Sequence, residues 1–356
     1  MTTDFARSLD ELGRGDAAVF GGKSANLGEL VSSGLPVPPG FAVGAEAYRL
    51  FVREAALAET IAAALKRASS GDVHAVSAAS KAIDESMRFA PLPEAVRGEL
   101  ERHYEELERA TGQARPPVAV RSSALGEDSA DASYAGQQES FLWVRGREHV
   151  CDAVRDCWVS LYAPQAISYR SQRAGTGDEA MGVAVQLMVD AEVSGVLFTC
   201  NPVSGDPSVT VVNASWGLGT AVVSGELTPD DYAVSKVTGE VVRSTVSAKS
   251  FEYVPDEAGR GTVRREVGAE RRDEPCLGEA ELELLVDLAR RVEAHFGSHQ
   301  DVEWAFARGR PRADGLYVLQ ARPVTTLPKR RPAASASALS LVMNTFGASA
   351  KSRKPS

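Results

Sequence analysis

The sequence predicts an α+β protein in which helices and strands occupy separate stretches of the chain. Residues 55–112 carry apolar side chains at helical spacing. From residue 181 that period gives way to short apolar runs bounded by turn residues, as in strands. The length, 356 residues, suits a large core and a division into two subdomains or more.

Taken in order, the elements justify that class. In "PEAVRGELERHYEELERATG" the residues Val96, Leu100, Tyr104 and Leu107 fall on one helical face, and Gly112 is the expected stop. A strand is expected at 118–120 and another in "FLWV", 141–144. "MGVAVQLMV" and "SGVLFT", separated by "DAEV", read as two paired, buried strands. "VTVVNASWGLG" reads as a strand ending in a glycine-rich turn. "ELELLVDLARRVEAHFG" reads as an amphipathic helix with Leu282, Leu285, Val286, Ala289, Val292 and Phe296 inward, closed by Gly297. Two last strands, "DVEWAFA" and "LYVLQARPV", flank a turn containing Gly309, Pro311 and Gly315.

Composition excludes several function classes. Hydrophobic content of 44% and charged content of 24% are ordinary for a globular chain. A formal net charge of −9 argues against a general binder of nucleic acid or anionic membranes. With no apolar run of membrane-span length and no signal-peptide core, the expectation is a soluble, cytoplasmic chain. Cys151, Cys157, Cys200 and Cys276 form no C-x-x-C pair, so reduced, scattered thiols are expected rather than zinc or disulfides. Residues 329–356 hold six basic and no acidic residues, which leaves about −15 on the body. That segment reads as a disordered linker or docking tail.

Two places carry chemistry. "FGGKSANLGEL" fails as a P-loop because Ala17 stands where the first glycine belongs. Gly21, Gly22 and Lys23 nevertheless lead into a helix whose start, with its cation, suits an anion; the plainer reading is a surface lysine. In "DVEWAFA", strand alternation puts Asp301 and Glu303 on one face, Val302 and Trp304 on the other. In "LYVLQARPV", Gln320 and Arg322 share a face with Val318 and Val324, with Leu319 opposite. If the two strands pair, Glu303 and Gln320 offer oxygens to magnesium and Arg322 meets a phosphate; an ordinary ion pair on a half-exposed sheet is the alternative. His295 and His299 have metal-ligand spacing, but Gly297 between them ends the helix. "GLGTAVVSG" lacks the dinucleotide-binding pattern.

Taken together, "GGKSANLGEL", "PVPPGFAV", "VAVRSSALGEDSADASYAGQQES", "SGVLFTCNPVSGD", "WGLGTAVVSGELTPDDY" and "DVEWAF…LYVLQARPVT" resemble, in order, the ATP-binding domain of the phosphoenolpyruvate synthase, pyruvate phosphate dikinase and rifampin phosphotransferase family. The resemblance covers residues 10–328. It implies an ATP-grasp fold of two α+β subdomains, 1–185 and 186–328, with nucleotide between them and the 329–356 tail outside. By motif, Lys23 and Arg121 contact the ATP phosphates, and Gly136 belongs to the covering loop, with Ser140 nearby. Gln186 and the backbone of Met188 and Val189 lie at the adenine hinge. Glu303 and Gln320 are the magnesium ligands, and Arg322 is a phosphate contact. On this reading Arg121 leaves its strand to reach into the cleft, and the small-residue loop after it covers the nucleotide.

In the fused family members a histidine in T-x-G-G-x-x-x-H receives the β-phosphoryl group, leaving AMP and phosphate. Here Gly21-Gly22 is the one adjacent glycine pair, and no such histidine follows it. The first expectation is therefore an ATP-binding subunit whose partner protein carries the phosphohistidine and the small-molecule acceptor site; a piece of a longer enzyme would read the same. The others are a kinase acting directly on a small molecule, and a catalytically silent nucleotide-binding regulator or scaffold.

Overall fold

The computed structural model describes residues 4–68, 72–125, 139–171, 180–256 and 261–324. Its first five strands are β1 (Ala6–Ser8), β2 (Gly40–Val43), β3 (Val118–Ala124), β4 (Ser140–Val144) and β5 (Met181–Leu187). They form an antiparallel sheet in the order β1-β2-β5-β3-β4. The chain continues through β6 (Ala191–Phe198), β7 (Val209–Trp216), β8 (Asp230–Ser235) and β9 (Val241–Thr245). A hairpin of β10 (Phe251–Pro255) and β11 (Thr262–Glu266) precedes β12 (Gln300–Ala307) and β13 (Leu316–Pro323). The second sheet has six antiparallel strands in the order β13-β12-β6-β7-β8-β9. Helices and sheets are thus combined as an α+β chain.

The helical block forms as its periodicity requires. Helices run over Ala45–Glu54, Ala58–Ala68, Val73–Phe89 and Glu94–Thr111. Val96, Leu100, Tyr104 and Leu107 are all buried, and the last helix ends at a left-handed Gly112. These helices and Arg147–Ser160 cover one face of the first sheet, where Val43, Val118, Val120, Val183 and Val185 point into a common core. The opposite face contributes Ala42 and Ala184 to a second core. There they meet Leu27 and Leu30 of the Gly22–Ser32 helix, together with Trp304, Phe306 and the buried face of the Glu279–Phe296 helix. One apolar cluster therefore runs from the first sheet, through the Gly22–Ser32 helix, into the second.

Three expectations need correction. The β5 and β6 runs do not pair: β5 lies between β2 and β3, whereas β6 lies between β12 and β7. The short segment Met188–Asp190 carries the chain from one sheet to the other instead of closing a hairpin. Nor does the strand stop at Val120. It continues through Arg121 to Ala124, and Arg121 leaves the core simply by alternation, facing away from Val120. Finally, a bulge skips Leu319, so that Gln320 opposes Glu303 while Val318 opposes Trp304. Val318 and Ala321 are consequently in the core, and Leu319 is on the other side.

The four cysteines are free and buried. No described helix is long and apolar enough to cross a membrane. The basic segment 329–356 lies outside the described residues.

A fully buried ion pair fixes the far side of the second sheet. Asp230 accepts from Lys249 Nζ at 2.6 Å, from the Ser247 and Cys276 backbone N–H groups and from the Tyr232 hydroxyl. With both oxygens satisfied, the buried charges are compensated. The pair anchors the segment leading to β10, whose Tyr253 carbonyl accepts from Leu218 N–H at 2.9 Å.

Candidate active site

Lys23 is the second residue of the Gly22–Ser32 helix and is only 5% exposed, so it is not a surface lysine. Its Nζ donates to the Ser122 carbonyl at 2.9 Å. The next residue, Ser24, donates its backbone N–H to Ser123 Oγ at 3.1 Å. Both acceptors lie on β3, immediately after Arg121. The sequence placed Lys23 and Arg121 far apart; the fold puts the helix start against the arginine's strand.

Arg121 shares a sheet face with Ala119 and Ser123, and with Gly182, Ala184 and Gln186 of the neighbouring β5. Its Nη2 lies 3.5 Å from Glu303 Oε2 on the second sheet, with 14% of the arginine side chain and 20% of the glutamate side chain exposed. Nε and Nη1 are buried and have no hydrogen-bond partner among the described residues. A guanidinium carries five donors in a planar fork, so this one retains capacity for an anion. Ser140 stands opposite Arg121 on β4 and is exposed.

On the second sheet, β12 and β13 pair, and across the bulge Glu303 opposes Gln320 and Asp301 opposes Arg322. Val302 and Trp304 are fully buried on the other face. Arg322 Nε donates to Asp301 Oδ2 at 2.8 Å, and the arginine remains largely exposed. Burial pushes the Asp301 carboxyl above its ordinary range, against the pull of Arg322. Glu303, Gln320 and the neighbouring Asp301 present oxygen donors, the kind a hard cation takes. No group of three or more His, Cys, Asp or Glu forms a metal cage among the described residues. The donor set thus fits magnesium completed by phosphate oxygens and water better than an ion enclosed by protein alone.

Met188 and Val189 lie in the crossing between sheets and pack into an apolar cluster with Trp143, Ala191, Leu218, Ala305 and Leu319. Met188 N–H donates to the Pro117 carbonyl at 2.9 Å. Gln186 is 2% exposed, and its Nε2 has no partner among the described residues. Gly136 lies outside them. The sequence reading missed this apolar cluster, although β12 announces it by passing from Asp301 and Glu303 to Ala305 and Ala307 on one face.

The two histidines at metal-ligand spacing serve different carboxylates: His295 pairs with Glu29 and His299 with Glu293. Glu29 also accepts the Arg14 backbone N–H at 2.8 Å. That bond first, then His295 and the Arg14 charge, hold the Glu29 carboxyl below its ordinary 4.5 despite partial burial. A lowered carboxyl contributes stability above its unfolded pKa, and that stability is lost as pH falls through the folded value. Glu29→Gln is therefore expected to cost about 1 kcal/mol at neutral pH and to flatten the stability loss below pH 4.5. Urea titrations at neutral and acid pH would check this; an unchanged acid slope counts against it.

Residues 17–341 match the pyruvate phosphate dikinase, AMP/ATP-binding domain family. The chain belongs to that family. Among its curated relatives is the probable phosphoenolpyruvate synthase of Methanocaldococcus jannaschii, 41% identical, covering 91% of this chain and 27% of that protein. The probable phosphoenolpyruvate synthase of Methanothermobacter thermautotrophicus is 39% identical, covering 96% and 49%. The phosphoenolpyruvate synthase of Pyrococcus furiosus is 35% identical, covering 94% and 45%. The chain thus spans less than half the length of these relatives. A solved structure, the D-cycloserine synthetase DcsG, aligns with 84% of this chain and 60% of that one at 13% identity. Its TM-score of 0.28 is too low to bear on the fold.

Proposed function

We propose that this domain holds MgATP between two ATP-grasp subdomains that meet near residues 185 and 186. It would direct the β-phosphoryl group to a histidine on a separate partner protein, leaving AMP and phosphate. The observation that carries the reading is Arg121: a largely buried cation on one sheet whose Nε and Nη1 have no partner among the described residues, 3.5 Å from Glu303 on the other. A polyphosphate with a divalent ion completes both groups at once, since the anion takes the guanidinium and the cation takes the carboxylate.

In this reading Lys23, Arg121 and Arg322 bind and orient the phosphates, Arg322 exchanging its Asp301 partner for them. Phosphoryl transfer is chiefly positioning and charge neutralisation, so fixed cations are the main protein contribution. Glu303 and Gln320 hold magnesium, with Asp301 beside them. When bound, the ion would draw charge from the phosphate oxygens and align them for in-line attack. Gln186 and the Met188–Val189 backbone edge the adenine, against Leu218 and Leu319. The partner supplies the histidine and the site for the small-molecule acceptor.

The test uses ATP labelled at the β-phosphate, the purified chain and the proteins that co-purify with it from its native cells. AMP formation with label on a histidine of a second polypeptide is expected. Label on a small molecule without protein labelling would move the reading to a direct kinase. Binding of ATP without turnover under any combination would move it to a nucleotide-binding regulator.

A further inference from the structure

We propose that Ser123 is a positioning residue that sets the spacing between the two phosphate-binding cations, Lys23 and Arg121. The inference rests on the reading of those two residues as phosphate contacts and deepens it.

The lysine sits at a helix start and the arginine on a strand almost a hundred residues later, so their spacing depends on how the helix start docks. Ser24 N–H belongs to the first turn of the helix, where backbone donors have no intrahelical acceptor. Ser123 Oγ accepts it at 3.1 Å in a fully buried position, acting as a cap supplied from another element. Lys23 Nζ reaches the adjacent Ser122 carbonyl at 2.9 Å. The backbone at Gly21 comes so close that a Cβ there would stand 2.2 Å from the Ser123 carbonyl oxygen, and its φ of +83° favours glycine. On the neighbouring strand, Gly182 leaves room for the Phe20 carbonyl in the same way. The helix start is therefore seated directly on the backbones of β3 and β5.

The rest of that helix is shared between the two sheets. Leu27 and Leu30 pack into the core shared with the second sheet, and Glu29 pairs with His295. A helix whose body is shared with the second sheet needs its N-terminus pinned to β3 if Lys23 is to keep its place at the Ser122 carbonyl, one residue from Arg121. The Ser123 hydroxyl does this two residues from Arg121. Removing it loosens the placement of the lysine without touching the adenine side.

The experiment titrates ATP and AMP by calorimetry into the whole chain, wild type and variants, with unfolding temperatures measured in parallel. Ser123→Ala is expected to weaken ATP binding about tenfold while AMP affinity stays within about twofold. Ser123→Thr, which keeps the hydroxyl, should restore the ATP preference. Ser123→Cys, close in size but a weak acceptor, gives the same comparison if the alanine variant does not fold. Unchanged ATP affinity in the variants overturns the proposal, as does an equal loss for ATP and AMP, which a purely structural role would produce. Absence of ATP binding in the wild type would instead remove the phosphate-contact reading itself.

Discussion

Arg121→Met is expected to remove most ATP affinity while leaving the unliganded protein as stable as before, or more so. The two effects have opposite signs because the arginine is poorly paired in the free protein. Among the described residues, Nε and Nη1 are buried without a partner, and the one carboxylate within reach is 3.5 Å away. An under-compensated buried cation is a cost to folding, and an apolar side chain of similar length removes it. Glu303 keeps 20% exposure, so water can serve the carboxylate that is left. Loss of a preorganised charged contact to phosphate should weaken binding by about a hundredfold or more. Thermal unfolding reads both halves. Ligand at about a hundred times its Kd stabilises the wild type by about 2.7 kcal/mol; the variant at the same ATP concentration should keep about 0.4 kcal/mol of that or less. A variant that keeps the full shift would sink the role of Arg121, and one that is strongly destabilised without ligand would make the arginine structural.

How far the sequence revealed this site depended on whether the signal was local. Alternation in "DVEWAFA" was enough to place Glu303 and Trp304 on opposite faces, and helical spacing was enough to bury Val96, Leu100, Tyr104 and Leu107. Pairing partners were not local information. The four residues between "QLMV" and "SGVL" looked like a hairpin turn, because a turn and a crossing between sheets need the same short polar connection. The bulge at Leu319 was likewise invisible, since it answers to the register against β12 rather than to its own neighbours. Ser123 escaped notice for a third reason. A serine after an arginine reads as polar surface, yet it is fully buried because a helix from residues 22–32 docks on it. Lys23 and Arg121 were singled out by motif; the docking of Lys23 on the strand that carries Arg121 required the fold.

Glu303→Gln should separate the metal from the nucleotide. The substitution keeps the size and one oxygen but removes the charge, and the only ion-pair partner of Glu303 among the described residues is Arg121 at 3.5 Å. A partly exposed pair at that distance contributes little to stability, so folding should change by less than about 1 kcal/mol. Asp301 stays in place through its bond to Arg322, and the opposing Gln320 is untouched. Without magnesium, the variant should bind ATP at least as tightly as the wild type, because a carboxylate no longer faces the phosphates. With magnesium the order should reverse. The wild type gains affinity, whereas the variant gains about tenfold less or nothing, as expected when a hard cation loses its charged oxygen ligand. Calorimetric titration of ATP in excess chelator and in excess magnesium gives the four affinities needed. A crossing of the two proteins between those conditions places the ion at Glu303. Parallel responses would mean that the carboxylate serves Arg121 and that magnesium reaches ATP through other groups.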